Sequence, residues 1–189
     1  MKKTLYTFSV QEAEEKLKSF IEEDEGDCEV KIDDESKPFI DNRLKLLTTL
    51  DLGETNGEET IYQAKDVFKS YIDNDFKNWN LDNEQKPTKK TKVNVYELIK
   101  DSTMKEIFYD LENMVMTQSQ IIKFCEKHPT WLRQDGYTTL FLIRENDEYF
   151  VVYVDVRSGG LYVNVYRLGY VNVWYAEYRY RFVSPQLIA

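Results

Sequence analysis

The chain has 189 residues and a formal net charge of −9 at pH 7, and 42% of its residues are hydrophobic and 14% aromatic. This length suits one domain or two small ones, and it is sufficient to bury a core without disulfides or metals. The charge disfavours duplex nucleic acid and anionic membranes as partners, because both repel an acidic protein at long range.

Cysteine and hydropathy patterns favour a cytoplasmic protein. Cys28 and Cys125 are too few for a disulfide scaffold, and a reduced pair is the simpler interpretation. The N-terminal apolar run stops at Gln11 and Glu12, so we expect no secretion signal. No window approaches the ~18 apolar residues that a membrane-spanning helix needs, so we expect no membrane contact.

The N-terminal third carries the whole excess of negative charge. Residues 1–60 hold 17 acidic and 8 basic side chains, and residues 22–35 alone hold nine carboxylates and one lysine. Residues 4–8 and 28–32 have strand character and flank an amphipathic helix that begins after Ser9. We therefore predict a β-α-β-like region. Its acidic run is either a solvated surface or a docking surface for a basic partner.

The middle of the chain alternates apolar patterns with polar breaks. Residues 44–52 favour a strand, and residues 59–72 favour an amphipathic helix. Residues 82–92 read as a linker, and we predict an acidic α/β subdomain over 1–81 and a second part over 93–189. One compact domain is the alternative.

The second part begins with helical patterns near residues 95–100 and 102–113. Thr117 to Gln120 then form a capping box that opens a further helix, which ends at His128 and Pro129.

Four aromatic-rich strands are predicted near the C-terminus, at 137–144, 148–156, 160–168 and 171–183. Asn146-Asp147 suits a tight turn between the first two, and Ser158-Gly159-Gly160 supplies the next turn. Short connections between consecutive strands indicate a four-stranded antiparallel meander. The predicted class is α+β, with helices covering one face of this sheet.

Side-chain alternation places the candidate binding residues on one face of the central hairpin. Tyr149, Tyr153 and Arg157 share a face of the second strand, and Tyr162 and Tyr166 share a face of the third. The opposite face is aliphatic. Tyrosine and arginine dominate binding hot spots, but buried tyrosines are also common, so this face is either a binding platform or core.

The fourth predicted strand shows the reverse pattern. Trp174, Tyr178, Tyr180 and Phe182 would share one face, which we predict to be core, with Arg181 on an exposed face.

Catalytic and cofactor motifs are weak throughout. His128 is the chain's single histidine, and Cys125 three residues before it gives too few ligands for structural zinc. Glu29-Val30-Lys31 has the spacing of a nuclease motif, which an exposed strand explains equally well. Neither glycine-rich phosphate motif occurs. We predict no catalytic residue, metal or cofactor.

The leading hypothesis is a non-catalytic cytosolic protein that binds a protein partner through the tyrosine face or the acidic N-terminal surface. The alternatives are single-stranded nucleic-acid binding by stacking on the same face, and an unrecognised enzyme. The partner, the pathway and the oligomeric state stay open.

Overall fold

The computed structural model describes residues 42–169 and 172–186, all of which fall in one compact unit. The predicted β-α-β-like region and the acidic run at 22–35 lie outside these residues. Over the described part the fold is α+β, with a seven-stranded mixed sheet, a two-stranded sheet and four α-helices.

The elements follow each other closely along the chain. The strands are β1 Leu44–Thr55, β2 Tyr71–Ile72, β3 Thr88–Leu98, β4 Ser102–Thr103, β5 Thr138–Glu145, β6 Glu148–Arg157, β7 Gly160–Arg167, β8 Val173–Trp174 and β9 Arg181–Pro185. The helices are α1 Asp75–Asn78, α2 Met104–Ile107, α3 Leu111–Met114 and α4 Gln118–Lys127. Short 3-10 helices occupy Pro129–Trp131 and Ala176–Tyr178.

The larger sheet has the strand order β1-β3-β9-β5-β6-β7-β2. Strands β5, β6 and β7 form an antiparallel meander, as predicted. The predicted fourth strand of that meander is wrong. Of the residues predicted for it, the described ones, 172–183, contain β8, a 3-10 helix and the start of β9, which pairs parallel with β5 and antiparallel with β3. Arg179, with a φ of 50°, adopts a left-handed conformation that breaks any continuous strand there.

Each face of the larger sheet packs against helices, whereas we expected helices on one face. On the first face, aliphatic side chains of β6 and β7 pack against α4 and the long loop before β3. The Phe124 and Phe141 rings meet edge to face there, with centroids 5.5 Å apart. On the second face, α2 and α3 contribute to a separate core in which Phe108 and Phe182 lie 6.0 Å apart.

Two helix predictions, at residues 59–72 and 95–100, are wrong. Residues 95–100 lie mostly in β3, whose Val93 and Val95 alternate inward and are fully buried. Residues 59–72 form separate turns and then β2. Ile61, Ala64 and Phe68 keep the helical spacing, since Ala64 N–H donates to Thr60 and Phe68 N–H donates to Ala64. Those turns are not joined into a helix.

Several local signals are confirmed. Strand β1 covers the predicted strand at 44–52, and α4 begins at the predicted capping box and ends before His128. Asn146 and Asp147 both have positive φ, at 49° and 62°, which a tight hairpin turn between β5 and β6 requires.

The predicted linker at 82–92 contributes directly to the sheet. Its last residues belong to β3, which pairs with β1 along most of its length. The division of the whole chain into 1–81 and 93–189 stays a prediction, because the former includes residues outside the described part.

Candidate functional site

The tyrosine face predicted from alternation exists in the sheet. The register of β6 and β7 pairs Val151 with Tyr166, Tyr153 with Asn164, and Asp155 with Tyr162, and paired residues project from the same face. The neighbouring rows, Val152 with Val165 and Val154 with Val163, lie on the opposite face within the first core.

An open cavity of about 350 Å³ occupies the middle of this second face. Its floor comes from β6 and β7 and its walls come from the chain before β5 and from the segment around β8. We call it the aromatic pocket, and its lining residues are Gly136, Tyr137, Thr138, Tyr153, Asp155, Asn164, Tyr166, Asn172, Trp174 and Tyr180.

Five aromatic rings of the pocket form a continuous series of contacts. Tyr166 meets Tyr153 edge to face at 4.8 Å, and Tyr153 stacks against Trp174 at 5.3 Å. Trp174 meets Tyr180 at 4.6 Å, and Tyr180 meets Tyr137 at 6.1 Å, both edge to face. Such pairs each contribute about 0.5–1.5 kcal/mol beyond area burial, so each ring fixes the position of the next.

The break in the predicted fourth strand is what brings Trp174 over the sheet. Strand β8 leaves the large sheet and pairs with β4, where Trp174 lies opposite Ser102. The Asp101 carboxylate accepts a hydrogen bond of 2.8 Å from the Ala176 N–H, which fixes the next turn. Arg179 then redirects the chain into β9. The pocket wall is therefore a short segment held at both ends.

The floor of the pocket is polar. Asp155 has a side chain that is 17% exposed, and its Oδ2 accepts a hydrogen bond of 3.1 Å from Arg157. Asn164 lies beside Tyr153 on the adjacent strand and is half-buried. The Thr138 hydroxyl donates to the Val154 carbonyl at 3.3 Å. Among the described lining residues, Asp155 carries the one charged side chain.

Electrostatics in the pocket wall disfavour negative charge. The pKa of Tyr180 is raised, first of all by burial. Coulombic interactions raise it further, in the order Tyr178, Tyr137, Asp155 and Glu177. Glu177, by its charge first, also raises the pKa of Tyr178. These phenols therefore stay protonated and neutral near pH 7. An anion brought to this wall would meet the negative charges of Asp155 and Glu177.

Two of the five sequence-predicted residues, Tyr153 and Tyr166, line the pocket. Tyr166 is 40% exposed and meets the Tyr153 ring edge to face. Tyr153 is 7% exposed and belongs to the second core as well as to the pocket floor. Tyr153 is therefore a core residue that also lines the pocket, and its binding role stays a prediction.

The other three predicted residues lie outside the pocket lining. Tyr149 is half-buried and donates its hydroxyl proton to Glu112, with the Arg144 guanidinium 5.6 Å from its ring. The Arg157 guanidinium lies 3.5 Å from the ring centroid of Tyr162. Tyr162 in turn stacks on Tyr71 of β2 at 4.6 Å.

Sequence reasoning missed the pocket wall. We predicted Trp174 and Tyr180 to be core residues of one strand; both pack against the second core, but they do not share a strand. Tyr137 was not singled out. Asp155 and Asn164 share the alternation of the tyrosines, so the same signal that selected Tyr153 could have found them.

Cys125 and His128, the other residues considered for chemistry, are a buried thiol and a hydrogen-bonded imidazole. Burial raises the pKa of the Cys125 thiol well above its usual range, which makes it a poor nucleophile. The His128 Nε2 atom lies 3.1 Å from the Asp51 carbonyl oxygen. Within residues 42–169 and 172–186, no three His, Cys, Asp or Glu side chains converge as a metal site would require.

The chain matches no protein-family model, and comparison with curated proteins and with solved structures finds no similar chain. Among the described helices, none is long and apolar enough to cross a membrane.

Proposed function

We propose that the chain is a non-catalytic, cytosolic binding protein that holds a protein partner at the aromatic pocket. The supporting observation is an open cavity of about 350 Å³ with five aromatic residues and a polar floor in its lining. Binding sites combine such apolar walls with a few placed polar groups. Tyrosine and tryptophan are also enriched among the residues that dominate binding energy.

The dimensions of the pocket favour a side chain or short segment of a partner over a large flat interface. Its rings are fixed by mutual contacts before a ligand arrives, so little side-chain entropy is lost on binding. Tyr166 at 40% exposure and the half-buried Trp174 provide the accessible ring surface.

Single-stranded nucleic acid fits this site less well. Bases can stack on aromatic side chains, but the known modes also require cations along the backbone. The lining contains no lysine or arginine among its described members, and it contains the carboxylate of Asp155.

Partner capture by the immobilised full-length chain tests the proposal. We expect Tyr166→Ala to reduce capture of a specific partner from an extract of the source cells at least tenfold, because it removes the most accessible ring of the pocket. Tyr109→Ala removes a tyrosine of similar exposure, 43%, outside the lining and should leave capture unchanged. Circular dichroism would verify that both variants stay folded.

Capture that survives both Tyr166→Ala and Asp155→Asn would contradict the proposal. The partner would then bind elsewhere, and the acidic N-terminal third would become the leading surface.

A further inference from the structure

We propose that the aromatic pocket binds the guanidinium group of an arginine side chain presented by the partner. This inference rests on the proposed function and adds the chemistry of the ligand.

The charge of the pocket selects a cation. Asp155 lies at the floor, and its Oδ2 atom accepts from Arg157. Its Oδ1 atom accepts no hydrogen bond from any residue in the described ranges, although the side chain is only 17% exposed. A carboxylate oxygen that is mostly removed from water gains strongly from a charged donor. Glu177 lies close enough to the wall to raise the pKa of Tyr178 and Tyr180, which adds to the negative potential.

The rings of the pocket suit a planar cation. The face of a tyrosine or tryptophan ring attracts a cation, and this attraction reaches about 2 kcal/mol when the pair is partly desolvated. Guanidinium is planar and weakly hydrated and can stack on a ring while donating from its edge, which a lysine ammonium cannot do. Tyr153, Trp174 and Tyr180 line the same cavity as Asp155, so one arginine in that cavity can meet both ring and carboxylate.

The molecule already contains one guanidinium that contacts both an aromatic ring and Asp155. Arg157 places its guanidinium 3.5 Å from the Tyr162 ring centroid and donates to Asp155 from the same group. A partner arginine on the pocket side would repeat that geometry around the same carboxylate, with the rings of the pocket in place of Tyr162. Asp155 would then be shared between one internal and one external guanidinium.

Polar groups beside Asp155 complete the site. Asn164 is half-buried, and its side chain has no hydrogen-bond partner among the residues that the structure describes. Its amide oxygen can accept from one of the five N–H donors of an arginine. A lysine would use fewer of these acceptors and lose the stacking contact, so we expect weaker binding of lysine than of arginine.

An NMR titration of the full-length, ¹⁵N-labelled chain tests this. The probes are N-acetyl-arginine amide and N-acetyl-citrulline amide, which match in size but differ in charge. We expect the arginine probe to shift the Trp174 indole N–H saturably, with affinity at least tenfold higher than that of the citrulline probe. The chain has three tryptophans, and Trp174→Phe assigns the signal.

Asp155→Asn should weaken the binding of the arginine probe at least tenfold. Asp66→Asn, which changes an exposed carboxylate outside the pocket lining, should leave that binding unchanged.

An equal response to the arginine and citrulline probes would overturn the inference. A shift of the Trp174 signal by an oligonucleotide but not by the arginine probe would also overturn it. If the arginine probe fails while Tyr166→Ala still abolishes partner capture, the proposed function holds and the arginine chemistry is wrong. If the arginine probe binds but Tyr166→Ala and Asp155→Asn leave partner capture unchanged, the proposed function is wrong.

Discussion

Gln118 hydrogen-bonds to three positions of the chain before β3, two of them through its side chain. Its Oε1 atom accepts from the Ile61 N–H at 3.0 Å, and its Nε2 atom donates to the Leu81 carbonyl at 2.6 Å. Its own backbone N–H donates to the Gln85 side chain at 2.8 Å. The residue is 1% exposed, so these bonds replace water for backbone groups of a long irregular loop.

Replacing Gln118 with leucine should destabilise the fold by about 2–4 kcal/mol, because each buried polar group left without a partner costs about 1–3 kcal/mol. The free energy of unfolding in urea would measure the loss. Gln63→Leu, at an exposed position of the same loop, is the matched control and should change it by less than about 0.5 kcal/mol. Equal effects of both changes would mean that Gln118 has no bridging role.

The residues alone predicted on which face of a strand each side chain lies, but not what packs over that face. Alternation correctly placed Tyr153, Tyr162 and Tyr166 on one face, because a strand has a period of two. Whether that face is core or pocket depends on what lies above it. Trp174 lies there only because β8 pairs with β4, a contact between residues about seventy positions apart.

At the scale of elements, α4 is the part that the sequence predicts best. The Thr117 hydroxyl accepts from the Gln120 N–H at 3.2 Å, and the Gln120 side chain accepts from the Thr117 N–H at 2.9 Å. This reciprocal pair is local, so its residues alone determine it.

We expect Thr117→Ala to lower the free energy of unfolding by about 1 kcal/mol, the usual effect of losing a capping side chain. Thr103 caps the four-residue α2 with the same geometry, and Thr103→Ala offers a comparison. The longer α4 carries a larger buried face, so its cap should contribute more. Chemical denaturation of both variants would compare their free energies of unfolding. A larger loss of stability in Thr103→Ala than in Thr117→Ala would contradict this interpretation.

The wrong helix predictions have identifiable causes. In β3 the sequence KVNVYEL alternates apolar and polar residues, a strand signal that the nearby helical pattern at 102–113 obscured. In residues 59–72 the apolar spacing is helical, but the Ser70 N–H donates to the Leu161 carbonyl of β7 instead of to its own segment. Tertiary contacts outweighed local propensity in that loop.

For the whole molecule, the position of β9 decides the architecture. Residues Arg181–Pro185 lie between β3 and β5, although β6, β7 and β8 separate them from β5 along the chain. Phe182 is 1% exposed and Val183 is fully buried, and they belong to cores on opposite faces. Sequence reasoning expected consecutive strands to be neighbours, which is the usual case, and it therefore missed this insertion.

Val183→Pro should lower the free energy of unfolding by about 3 kcal/mol or more, because proline cannot donate within a strand that is paired on both sides. Val173→Pro, in the two-residue β8 where the side chain is 51% exposed, should be milder. Urea denaturation followed by circular dichroism would compare them. Equal losses in the free energy of unfolding would show that β9 contributes no more to stability than the two-residue β8.

The late place of β9 in the chain has a consequence for synthesis. Strands β1, β3, β5, β6 and β7 all leave the ribosome before residues 181–185 do, and translation proceeds from the N-terminus. Until then the inner edge of β3 has no strand partner, and the inner edge of β5 has only the bridge between Val115 and Leu142. An unpaired edge can recruit a strand of another chain. The nascent protein therefore passes through an interval in which the strand-pairing positions of both edges are open, and they close together when β9 arrives.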